Sequence, residues 1–127
     1  MPLAPVDHLR FSAATSASGL SFPHVYRNSN DASRTAGGVA VGVFNGDGWL
    51  DIYFVQGDLG TNKLFENRSQ GGSFAFVDVT EDAGVTGRRE DWASGPAFAD
   101  YDGDGDLDLF VGGIEFSEVR VLDRKST

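Results

Sequence analysis

Five of the chain's 19 acidic residues crowd into nine positions, Asp100, Asp102, Asp104, Asp106 and Asp108, and two more, Asp47 and Asp51, occupy a matching stretch upstream. A run of like charge is ordinarily a solvated face. This one alternates with Gly103 and Gly105 and lies between the apolar stretches PAFA and LFVGG, a setting that predicts a tight loop joining two strands. On a curled backbone, alternating Asp side chains bring several oxygens toward one point, and glycine supplies the positive φ angles the curl requires. Carboxylates so close repel one another unless a cation sits among them, and calcium takes six to eight oxygen ligands at roughly 2.3–2.6 Å. The predicted side-chain ligands are Asp100, Asp102, Asp104 and Asp108, with the carbonyl of Asp106 as a further one. An all-oxygen set of this kind does not suit soft or transition metals.

The upstream loop is a thinner version of the same arrangement. Val43 and Asn45 stand where the first two acids would be, leaving Asn45, Asp47 and Asp51 with the carbonyl of Trp49. Its side-chain charge is −2 against −4 for the four downstream equivalents, so its affinity for calcium is expected to be lower. The first half of the downstream loop also looks like an EF-hand, but position twelve is Val111 rather than Glu and no helix flanks it.

The elements that must hold these loops come from a repeat. AGGVAVGVFNGDGWLDIYF (36–54) aligns with ASGPAFADYDGDGDLDLFV (93–111) at a spacing of 57, matching Gly38 to Gly95, Ala40 to Ala97 and Asp51 to Asp108. A second repeat, at a spacing of 65, sets FSAATSASGL (11–20) against FVDVTEDAGV (76–85), so that Phe11, Thr15 and Gly19 answer to Phe76, Thr80 and Gly84. Periods of about this length belong to propellers and solenoids, whose units bury their faces only against neighbours. Within the period, residues 38–44, 49–55, 62–68 and 74–80 are rich in β-branched and aromatic residues and are separated by turn-forming stretches, giving four strands and one blade over 36–80. PAFADY, LDLFVGG and SEVRVLD give three strands of a partial blade over 93–124, and LRFSAAT (9–15) reads as a lone fourth strand, a latch. The one helical turn expected lies near TEDAG, 80–84. The expected fold is therefore all-β: two blades' worth of four-stranded antiparallel sheet in a single module of 127 residues, cut out of phase, as a fragment or protomer of a larger propeller ring.

Composition removes other classes. A net charge of −9 argues against a nucleic-acid partner, and the absence of cysteine excludes disulfides, zinc ribbons and thiol nucleophiles. No apolar run approaches the roughly 18–20 residues that span a bilayer, and the first residues lack the apolar stretch of a signal peptide. His8 and His24 are isolated from any nucleophile arrangement, and GGVAVG lacks the spacing of a dinucleotide-binding turn, so no enzyme activity is expected. Asn67-Arg68-Ser69 fits an N-glycosylation acceptor, a short pattern common by chance. Trp49 and Trp92 read first as packing residues beside turns and secondly as platforms for a sugar ring.

DYDGDGDLDLFV, FNGDGWLDIYFV, NKLFENR and FVDVTEDAGV together resemble FG-GAP/VCBS repeats, nearest to those of the cartilage-acidic-protein and ASPIC/UnbV group. The resemblance covers 36–124 well and the first 35 residues more loosely. It implies integrin-α-type blades with calcium-binding hairpins, and an extracellular or periplasmic setting. The function implied is a non-enzymatic calcium-binding module for adhesion or protein recognition, the alternative being a calcium-stabilised lectin. Because two blades cannot close on themselves, the expected partners are further copies in a head-to-tail ring or the remainder of a longer propeller, with a protein or glycan ligand.

Overall fold

The computed structural model describes residues 9–23, 37–56, 62–87, 93–113 and 120–124. The first sheet runs in chain order from β1 (Gly38–Gly42) through β2 (Asp51–Val55) and β3 (Lys63–Asn67) to β4 (Phe76–Asp78), all antiparallel. The second runs from β5 (Ala93–Ala99) through β6 (Asp108–Gly113) to β7 (Arg120–Leu122), again antiparallel. Among the described residues this is the all-β arrangement of one four-stranded propeller blade and one of three strands, with no closed barrel.

Alternation decides what each strand buries. Along β2, Asp51, Tyr53 and Val55 are buried while Ile52 and Phe54 are half-buried. Tyr53, Val55, Leu64 and Ala40 project from one face of the first sheet, which we term the forward face. They meet Leu109 and Val111 of β6, with Ala93 and Val85, to form the core shared by the two sheets. The Tyr53 hydroxyl donates to the Val85 carbonyl at 2.9 Å and accepts from Asn62 Nδ2 at 2.8 Å, so the polar tip inside this core is satisfied. On the reverse face of the first sheet the Phe22 ring packs on Phe54 and Phe65, with centroids 4.8 and 5.7 Å away.

The innermost strands, β1 and β5, lie alongside one another, from Gly38 against Pro96 to Gly42 against Phe98, but hydrogen-bond at one end only. Gly37 N–H donates to the Ala93 carbonyl at 3.0 Å, and Gly37 makes a single parallel bridge with Ser94. The register of β5 on β6 then shifts between Ser94 and Ala97, around Pro96. Gly38, with φ of 153°, passes so near this proline that a Cβ would stand 2.7 Å from its Cδ, so no other residue fits there without displacement.

Two expectations are corrected. Residues 9–14 form no strand, because a strand needs a hydrogen-bonded neighbour and, among the described residues, none lies beside this segment. Thr15–Ser18 is instead a helical turn, α1, closed by Gly19 in the left-handed region. It is the counterpart of α2 (Thr80–Ala83), the turn expected near TEDAG, which Gly84 closes in the same way. His8, His24 and Trp92 lie outside the described residues, as do 114–119 of the partial blade.

Candidate metal centre

Each Asp loop is a turn between the first two strands of its sheet, β1–β2 upstream and β5–β6 downstream. Gly103 and Gly105, at φ of 77° and 93°, allow the downstream chain to curl, and Gly46 and Gly48 do the same upstream at 77° and 85°. Inside the downstream loop, Asp100 accepts backbone N–H groups from Gly103, Asp104 and Gly105 at 2.8–3.1 Å. Asp102 Oδ1 accepts from Asp104 at 3.2 Å and Asp104 Oδ1 from Asp106 at 2.9 Å. The loop is thus folded by its own carboxylates.

Asp100, Asp102 and Asp108 each place a carboxylate oxygen within 4.8 Å of the others. Asp102 and Asp104 make a second such group with Asp123, a residue absent from the sequence-based ligand set. Ligands on opposite sides of a calcium ion lie about 5 Å apart, so this hard-oxygen set fits calcium in both spacing and chemistry. When bound, the ion would neutralise the cluster and tie the loop's oxygens to one point. The Asp106 side chain turns elsewhere, to an ion pair with Arg124 at 2.9 Å; the sequence-based reading used only its carbonyl. Asp102 is held above the ordinary carboxylate value first by loss of solvent around it and then by the charges of Asp104, Asp108 and Asp123. The Tyr101 phenol is raised as well, chiefly by Asp123.

Asp51 and Asp108, equivalent in the repeat, are buried and do a second job. Asp51 accepts the N–H of Phe44 at 3.1 Å and of Asn67 at 2.8 Å; Asp108 accepts those of Tyr101 at 3.0 Å and Arg124 at 2.9 Å. Each carboxylate therefore staples its loop to the end of the third strand. The balance differs between them: burial dominates at Asp51 and raises it, whereas the Arg124 N–H dominates at Asp108 and lowers it. Asp108 thus contributes stability at neutral pH that is lost as pH falls through its lowered value. An amide offers one acceptor where two N–H groups converge. Asp51→Asn and Asp108→Asn are therefore expected to cost about 2 kcal/mol each in urea denaturation, even with chelator present. Asp47→Ala, at an exposed position, should cost less than about 0.5 kcal/mol under the same conditions.

Upstream, Asn45 Oδ1 accepts from Asp47 N–H at 3.1 Å and Asp47 Oδ1 from Trp49 N–H at 2.8 Å. The structure brings no group of three acidic ligands together there among the described residues, in keeping with only two acids in that loop. Gly46 of this loop faces Arg124, whose Nη1 would lie 3.9 Å from a Cβ at that position. The guanidinium that pairs with Asp106 therefore lies beside both loops. Neither Asp123 nor Arg124 could be assigned from spacing, because β6–β7 pairing brings them to the loop from 15 or more positions away.

No curated protein matches the chain. A family model for FG-GAP-like repeats matches residues 44–111, from the upstream Asp loop to the strand after the downstream one, which is more than half of the 127 residues. With blades, loops and match in agreement, the chain belongs to the FG-GAP-like repeat family.

Proposed function

We propose that this propeller-type module is a non-enzymatic, calcium-binding unit for adhesion or protein recognition in an extracellular or periplasmic setting. The observation that carries the metal reading is the convergence of Asp100, Asp102 and Asp108 within 4.8 Å, extended by Asp104 and Asp123. Binding energy at such a site becomes folding energy, because the unfolded loop cannot assemble it. The role is then mechanical: the ion stiffens the turns that present one end of each blade. Among the described residues no helix is long and apolar enough to cross a membrane.

Titration calorimetry on single variants tests the site. Asp104→Ala is expected to lower calcium affinity at least tenfold, and Asp47→Ala to affect only a weaker event, because the downstream loop has the fuller ligand set. Equal losses, or a larger one at Asp47, would overturn this ranking; no calcium heat from the unmodified chain would overturn the metal reading itself.

A second reading, the lectin, is favoured by one feature. Half-exposed Trp49 and exposed Phe74 flank a cleft of about 160 Å³ over the Gln70–Ser73 turn. An exposed aromatic pair beside a turn suits the apolar face of a sugar ring. Loss of glycan-array signal in Trp49→Ala would select this reading, and a blank array for the unmodified chain would remove it.

A further inference from the structure

The two blades share a plan and depart from it where the third strand ends. Along the repeat, Trp49, Glu66 and Asn67 of the first blade answer to Asp106, Asp123 and Arg124 of the second. One bond is kept: Arg124 N–H donates to Asp108 at 2.9 Å, as Asn67 N–H donates to Asp51 at 2.8 Å. The side chains differ in what they bring. Asn67 closes on its own blade with a neutral amide, its Nδ2 donating to the Leu50 carbonyl at 3.0 Å. Arg124 brings a guanidinium, which stays charged at any pH where a protein is folded, and sets it 2.9 Å from Asp106 Oδ1.

That charge is held in place and shared. Both side chains of the Arg124–Asp106 pair are half-buried, and the nitrogen that meets Asp106, Nη1, is also the atom facing Gly46 across the blade boundary. Gly46 stands between Asn45 and Asp47 of the upstream loop, and Asp106 stands between Asp104 and Asp108 of the downstream one. The acid at the position of Asp123 in the first blade, Glu66, pairs instead with Arg68 two residues on, in an exposed contact at 3.3 Å. A cation fixed among carboxylates has two effects of opposite sign. Without metal it relieves their repulsion; with metal it repels the arriving divalent ion, whose affinity follows the charge count of its site.

We infer, resting on the calcium reading of the two loops, that Arg124 is their shared resident counter-charge: it steadies them in the calcium-free chain and lowers their affinity for calcium. Its backbone and its side chain then act in opposite directions. The N–H builds the downstream site by holding Asp108, and the guanidinium weakens it by charge alone. A loop arranged in this way keeps its shape before the ion arrives and gives the ion up more readily. Such a site suits surroundings in which calcium is plentiful.

Calorimetric titration of the chelator-stripped full chain with calcium chloride tests this, beside Arg124→Gln and Arg124→Lys. Arg124→Gln keeps the backbone bond to Asp108 and removes the charge. It should bind calcium about three- to tenfold more tightly at low ionic strength, and the gain should shrink in about 0.5 M sodium chloride, which screens the lost charge. Arg124→Lys, which keeps the charge, should bind like the unmodified chain. In chelator, Arg124→Gln should melt below the unmodified chain. Should it fail to fold, Arg124→Met, which keeps the length of the stem, replaces it. A residue that merely shaped the loop would give the opposite sign, so weaker binding by the uncharged variant would overturn the inference. Unchanged affinity, a gain indifferent to salt, or an unaltered melting point in chelator would overturn it equally. These outcomes leave the calcium reading standing; no calcium heat from the unmodified chain would bring down both.

Discussion

Calcium at about a hundred times its dissociation constant should raise the thermal midpoint of the chelator-treated chain by roughly 10 °C. A ligand bound only to the folded state stabilises by about 2.7 kcal/mol at that excess, and a chain of this size gains about 4 °C per kcal/mol. The source of the gain is visible in the downstream loop, where Asp100, Asp102, Asp104 and Asp123 repel one another across a few ångströms. Two ions would also take the formal charge from −9 to −5 and relax repulsion across the whole molecule. The effect should fade on acidification, and Asp102 should protonate early because its carboxyl is held above the usual range. Scanning calorimetry with calcium and with chelator checks this; superimposed transitions would refute it.

Tyr53→Ala should cost about 4 kcal/mol, close to the whole stability of a marginal domain. The ring is fully buried in the core shared by both sheets, so its loss opens a cavity at the seam. It also removes the hydroxyl that joins the Val85 carbonyl to Asn62. Tyr53→Phe isolates the second contribution: it keeps the ring and leaves two buried groups without this partner, for roughly 1–3 kcal/mol. Urea denaturation of both variants decides the matter. A cost below about 1 kcal/mol for Tyr53→Ala would mean that the two sheets do not share the core described.

The strands were legible in the sequence because their signal is local. Alternation in DIYFV and turn chemistry in NGDG and DGDG mark elements within a few positions, and β2 and its loop lie where those signals place them. The repeat carried further: Thr15 and Gly19 aligned with Thr80 and Gly84, and the two turns they form match. What alignment cannot convey is whether a partner is beside the segment. The same pattern that gives β4 its place beside β3 leaves residues 9–14 without a partner among the described residues, hence without a strand. The Asp loops show the same division. Convergence of Asp100 and Asp102 is written in their spacing, whereas Asp123 and Arg124 arrive through strand pairing. The hydrogen bonds that give Asp51 and Asp108 a second duty reach to Asn67 and Arg124, beyond any local pattern.

Pro96 has a consequence for how such sheets can be arrayed. Parallel pairing between the innermost strands begins once, at Gly37 and Ser94, and Pro96 has no N–H with which to extend it. The same proline marks the register shift of β5 on β6. Without that stop, the first strand of each repeat could zip along the first strand of the next, and the repeats would merge into one flat slab that grows in its own plane. With it, β1 and β5 lie alongside one another yet share a single rung, so adjacent repeats remain separate sheets that can splay apart, each unit a wedge. Slabs extend indefinitely; wedges add up an angle, and a row of them comes round to meet its own beginning.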